Sequence, residues 1–210
     1  MDERFIHVRR TARYHMLGRI EAAPEIWIVL HGYGQLARYF LNHFDGLDQG
    51  RCIVAPEGLS RFYLDEAHAR VGAAWMTRED RLHEIEDQIG YLDALATDLK
   101  QQAMPGATIK VLGFSQGVAT AARWATHGKT GIARLVLWAG SIPPELDRDA
   151  LATWKNIPVD LVLGDADEYA KPDALEAAAR RLDQAGIANT AHLFNGTHQL
   201  EPVLLARLFG

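Results

Sequence analysis

The segment Thr108-Ile109-Lys110-Val111-Leu112-Gly113-Phe114-Ser115-Gln116-Gly117-Val118-Ala119-Thr120-Ala121-Ala122 changes character twice within fifteen residues. Thr108 to Leu112 is apolar and β-branched, the composition of a strand buried on both faces. Val118 to Ala122 is a good helix opening. Between them, Gly113-Phe114-Ser115-Gln116-Gly117 has the G-x-S-x-G form of a sharp strand-to-helix turn, which leaves no room for a Cβ at its flanking positions. Such a turn lifts the Ser115 hydroxyl above the sheet edge and aims the N–H of Gln116 at a developing oxyanion. A purely structural glycine turn is the competing reading. With three serines and 18 glycines in the chain, the pattern arises by chance in roughly two such sequences per hundred.

The same design, an apolar run ending at a small residue or proline, recurs on either side. Glu25 to Leu30 stops at His31-Gly32, Arg51 to Ala55 at Pro56, Ala133 to Trp138 before Gly140, and Val159 to Leu163 at Gly164. Thr190 to Phe194 supplies a last strand, and Phe5 to Arg10 with Arg13 to Leu17 read as edge strands or a hairpin. Between strands the period turns helical, most clearly at Leu82, Ile85, Ile89, Leu92, Leu95 and Leu99, with Thr77 and Asp80 expected as the cap. Further helices are expected at Leu36 to His43, Gln116 to Thr126, Pro172 to Ala185 and His198 to Leu208. The alternation predicts an α/β fold with a mostly parallel central sheet and helices on both faces, its ligands bound beyond the carboxyl ends of the strands.

Composition narrows the field. The 210 residues fit a single domain, 1–210, and 48% hydrophobic with 23% charged residues is ordinary for a globular chain. The net charge of -5, without long blocks of either sign, argues against nucleic acid as a partner. The apolar runs are far shorter than the roughly 20 residues that span a bilayer, and Met1 to Phe5 lacks the character of a secretion signal. One cysteine, Cys52, read as a buried strand thiol, fits a reducing compartment. The expectation is a soluble cytoplasmic protein. With no H-E-x-x-H and no cysteine cluster, neither metal nor cofactor is expected. Monomer and homodimer are both compatible with the sequence.

A serine hydroxyl is a weak nucleophile and needs a base oriented by a third group. In a sheet of this class the acid and then the histidine follow the serine, each on a loop after a later strand. Gly164-Asp165-Ala166-Asp167-Glu168 offers the acid, and Gly196-Thr197-His198 the base. His198 alone of nine histidines lies after the last strand and before the last helix. Asp167 is favoured over Asp165 because it lies further into the loop, and either could brace the turn instead. Tyr33, in His31-Gly32-Tyr33-Gly34-Gln35, is the candidate for a second oxyanion N–H beside Gln116. His31 is read as a brace for that loop.

Together Leu30-His31-Gly32-Tyr33-Gly34, Gly113-Phe114-Ser115-Gln116-Gly117, Gly164-Asp165-Ala166-Asp167 and Gly196-Thr197-His198 resemble the phospholipase/carboxylesterase family of α/β-hydrolases, which includes acyl-protein thioesterases. The resemblance implies an α/β-hydrolase fold, Ser115 as nucleophile, Asp167 as acid, His198 as base, and Tyr33 with Gln116 as oxyanion donors. It also implies a small-molecule acyl ester or thioester as substrate. A peptidase or lyase using the same residues, and a binding protein on the same fold, are the alternatives. The sequence departs from the family pattern at Gly34-Gln35, where Gly-Asp is common, and at Glu168-Tyr169, where the acid loop usually runs toward Val-Pro. The short connection after Trp138 leaves no space for a large cap domain. Glu57 to Thr77 has no clear helix or strand signature, so it is a candidate binding loop. Leu36, Phe62, Leu64, Trp75 and Met76 are expected to line the substrate site, with simple packing over the sheet edge as the alternative.

Overall fold

Each of the five apolar runs that stop at a small residue, a proline or a histidine–glycine pair forms a strand of one sheet. The computed structural model describes residues 1–210. In chain order its elements are β1 (Tyr14–Leu17), β2 (Glu25–Leu30), α1 (Ala37–Phe40), β3 (Cys52–Pro56), β4 (Ser60–Tyr63), β5 (Val71–Ala74), α2 (Arg81–Gln102), β6 (Thr108–Phe114) and α3 (Gln116–His127). There follow β7 (Ile132–Trp138), α4 (Arg148–Leu151), β8 (Val159–Gly164), α5 (Pro172–Gln184), β9 (Asn189–Phe194) and α6 (Pro202–Phe209). Seven strands pair in the order β1-β3-β2-β6-β7-β8-β9. All neighbours are parallel except the edge strand β1, which runs antiparallel to β3.

The two-residue period of a strand divides its side chains between two cores. From β2, Ile26, Ile28 and Leu30 enter one with Leu92, Leu95 and Leu99 of α2 and Val118 and Trp124 of α3. Trp27 and Val29 enter the other, with Phe40 of α1 and Leu204, Leu208 and Phe209 of α6. Burying each such side chain is worth about 1.5–3 kcal/mol, so both faces hold the sheet firmly. Cys52 lies fully buried in β3, where burial pushes its thiol up to about 11. No helix is long and apolar enough to cross a membrane.

Four local expectations are corrected. Phe5 to Arg10 forms no strand: Thr11-Ala12 offers no turn chemistry to fold it back on β1, and Phe5 and Ile6 are exposed. The α2 stripe begins at Ile85, since Leu82 faces solvent, and Asp80 rather than Thr77 occupies the cap position. Asp80 has a φ of +48° and takes the His83 ring at 2.6 Å, while the Thr77 hydroxyl donates to Glu84. The last helix begins at Pro202, where the Glu201 carboxylate accepts the N–H groups of Val203 and Leu204, so His198 sits in a loop before it. Glu57 to Thr77 is not irregular throughout. It contains the hairpin β4–β5, a separate two-stranded sheet whose short strands are parted by a charged loop that hides their period.

Candidate active site

Because β2, β6, β8 and β9 are parallel, the loops that follow them emerge at one edge of the sheet. That edge gathers His31 to Gln35, Ser115, Asp165 to Tyr169 and Asn195 to His198. Ser115 sits between β6 and α3 with φ +54° and ψ -116°, a conformation L-residues rarely adopt. Flanking glycines permit it. A Cβ on Gly117 would lie 2.3 Å from the Leu30 carbonyl oxygen, and one on Gly113 would lie 2.4 Å from that of Gly117. The Ser115 N–H donates to Trp138 O at 2.9 Å, fixing the turn against β7.

The structure brings Ser115, His198 and Asp167 into one hydrogen-bonded line. With the imidazole proton on Nδ1 donated to Asp167 Oδ2 at 2.8 Å, Nε2 accepts the Ser115 hydroxyl at 2.9 Å. The Asp167 side chain is fully buried, and its other oxygen accepts the N–H groups of Tyr169 and Ala170. Asp165 points its carboxylate elsewhere, to the Gly196 N–H at 3.0 Å, and braces the turn that carries His198. The histidine loop is further pinned over β7, where the Trp138 indole donates to Gln199 O at 2.9 Å. Tyr169 meets the His198 ring edge-on at 4.7 Å and Phe114 supports it from 5.1 Å.

The loop after β2 lies against the serine: a Cβ on Gly32 would sit 3.1 Å from that of Ser115. Within this loop Gly32 N–H donates to the Gln35 side chain, Gly34 N–H to Ala73 O and Gln35 N–H to Gly32 O, leaving the Tyr33 N–H without a partner in the chain. Gln116 opens α3, where no intrahelical carbonyl exists for its N–H. Its side chain accepts from Trp75 N–H and donates to Met76 O, tying α3 to the end of β5. His31 is fully buried, with Nδ1 on Gly32 O at 2.8 Å and Nε2 accepting the Gly58 N–H at 3.0 Å. Burial holds its imidazole below the ordinary histidine value against the opposing pull of Gly32 O and Glu57, and the neutral ring braces the loop.

Above Ser115 and His198 lies a cavity of about 450 Å³, walled by Tyr33, Phe40, His43, Phe114, Tyr169 and Leu200 among others. Of the residues expected around substrate, Leu36 and Leu64 line an adjoining cavity, and Phe62, Trp75 and Met76 line neither. The buried Trp75 indole donates to His31 O, the Met76 sulfur accepts from Arg123, and the Phe62 ring packs tilted against that of Tyr33 at 5.0 Å. These three serve as scaffold for the loop. Phe40, His43, Tyr169 and Leu200 were not singled out by sequence as wall residues; Tyr169 alone left a signal, in the departure from Val-Pro.

No protein family description and no curated protein matches the sequence. Solved structures do match over nearly their full length. Esterase PE8 superposes with a TM-score of 0.73 at 22% identity, covering 95% of this chain and 98% of that one. The chain has the α/β-hydrolase fold. Acyl-protein thioesterase 2 from Zea mays (TM-score 0.69, 20% identity, 95% and 96% covered) and a carboxylesterase from Mesorhizobium loti (0.72, 18%, 94% and 93%) share it. In an α/β-hydrolase fold the edge described above is where ligands bind, so the fold and the hydrogen-bonded line point to the same place.

Proposed function

We propose that the chain is a serine hydrolase of the phospholipase/carboxylesterase kind, cleaving small carboxylic esters and thioesters through an acyl-enzyme. The observation that carries this reading is the continuous Ser115–His198–Asp167 line at 2.9 and 2.8 Å on a strained strand-to-helix turn. His198 Nε2 takes the hydroxyl proton as Ser115 Oγ attacks the carbonyl carbon. Asp167 keeps the ring in the tautomer that leaves Nε2 free and stabilises the imidazolium that forms. The Tyr33 and Gln116 N–H groups receive the oxyanion, a contribution worth about 10²–10³ in rate for each donor. His198 then returns its proton to the departing alkoxide or thiolate, and a water, activated by the same Nε2, attacks the acyl-enzyme and frees Ser115. No step calls on a metal or a cofactor.

Stopped-flow hydrolysis of 4-nitrophenyl butyrate tests this directly. A burst of nitrophenolate equal to the enzyme concentration is expected, absent in Ser115→Ala, with kcat lowered by about 10⁴ in Asp167→Asn because the wrong tautomer is then favoured. Undiminished turnover in Ser115→Ala would overturn the proposal. A peptide panel run beside it separates an esterase from a peptidase.

A further inference from the structure

The cavity that adjoins the candidate active site carries charge of one sign. Its volume is about 570 Å³, and it shares Gln35, Phe40 and His43 with the space above Ser115. Arg13, Arg38, Arg70 and His43 line it, and no carboxylate does. In a chain with 27 acidic against 22 basic side chains, that segregation runs opposite to the overall balance. The charge is also poorly compensated from within. Glu57 pairs with Arg13 at 2.8 Å, yet the same carboxylate serves Arg61 at 2.6 Å, so this trio keeps one net positive charge. Arg38 has no carboxylate partner and lies over the Tyr39 ring at 4.3 Å. Arg70 has none either, because Asp65, the acid at the head of its loop, spends its two oxygens on the backbone N–H groups of Ala69 and Arg70.

Geometry decides which half of an ester would enter. His198 must protonate the leaving group, so the leaving group lies on the His198 side. The basic cavity borders the loop of Gly34 to Leu36 and excludes both His198 and Tyr169, which leaves it to the acyl half. We propose, building on the esterase reading, that this cavity is a subsite for a carboxylate at the far end of the acyl chain, so that the preferred substrates are half-esters of dicarboxylic acids. Arginine forks bind a carboxylate through two parallel N–H contacts, and Leu36, Leu64 and Val71 furnish apolar walls for the methylenes between the two ends.

The test compares mono-4-methylumbelliferyl adipate and suberate with the same compounds capped as methyl esters. The free acids are expected to have kcat/KM about tenfold higher, the combined effect of two solvent-exposed ion pairs. The advantage should shrink with added sodium chloride and fall most of the way to parity in the double variant Arg38→Gln/Arg70→Gln, which leaves Arg13 in place. Equal rates, or faster capped esters, would overturn the subsite while leaving the esterase standing. If neither is hydrolysed, the esterase reading fails, and calorimetric titration of adipate into Ser115→Ala decides the cavity independently. Saturable binding weakened about fivefold or more by the two arginine substitutions supports it, and no binding overturns it.

Discussion

At φ +54° and ψ -116°, Ser115 holds a backbone conformation that costs of order 1–3 kcal/mol in a residue with a Cβ. The surrounding structure bears that cost through the Ser115 N–H bond to Trp138 O and the close packing of Gly117 on Leu30. Ser115→Gly is therefore expected to be more stable than Ser115→Ala by about 1 kcal/mol, roughly 3 °C in Tm, although both lack the hydroxyl. Thermal unfolding followed by circular dichroism checks this, and a more stable alanine variant would remove the claim of strain. The serine and the histidine were legible in the sequence because one sits in a motif that needs a strand before it and a helix after it, and the other is alone in its place. Between Asp165 and Asp167 the residues themselves offer only depth in the loop, and the family resemblance points to Asp167. The choice depends on how two carboxylates in one turn are rotated, one to Gly196 N–H and the other to the His198 ring.

Among the elements, the least legible was the hairpin β4–β5, whose strands are four residues each and whose connecting loop is charged. Its place is to hold the loop after β2: Gly34 N–H donates to Ala73 O, and a Cβ on Gly72 would lie 2.5 Å from Gly34 O. Apolar character suggested that Trp75 would face substrate, but its N–H needs an acceptor, and His31 O supplies one inside. Glu57 joins these pieces, with its carboxylate fully buried against Arg13, Arg61 and the Ala37 N–H at the head of α1. Burial pushes this carboxyl up, and the hydrogen bonds and charges of the two arginines outweigh it, so it lies below its ordinary value of 4.5. A carboxylate lowered on folding stabilises fully above that ordinary value and loses the effect as pH falls through its folded value. Glu57→Gln is expected to cost about 2 kcal/mol, less than a fully buried pair because both arginines are half-exposed. Urea midpoints should show that difference constant from pH 8 to about 5 and shrinking below about 4.5; a gap that widens on acidification would contradict it.

For the molecule as a whole, the sheet class was legible from apolar runs alternating with helical periods, whereas the strand order was not, because crossovers set it in space. That order poses a problem that the site must solve. With strands about 4.8 Å apart, β9 lies roughly 14 Å from β6, so His198 must reach back across β8 and β7 to meet Ser115. The bond from the Trp138 indole to Gln199 O holds the loop there. Trp138→Phe keeps the ring packing and removes that donor, so kcat for an aryl ester should fall about tenfold or more with a smaller change in KM; an unchanged kcat would show that the loop holds its place without it. Assembly of a reactive serine at one edge of the sheet is tested by labelling with a fluorophosphonate and mapping the modified peptide by mass spectrometry. Three serines, Ser60, Ser115 and Ser141, make the assignment unambiguous. One label per chain is expected, on Ser115, forming far more slowly in His198→Ala. An unlabelled protein, or a label on Ser60 or Ser141, would contradict it.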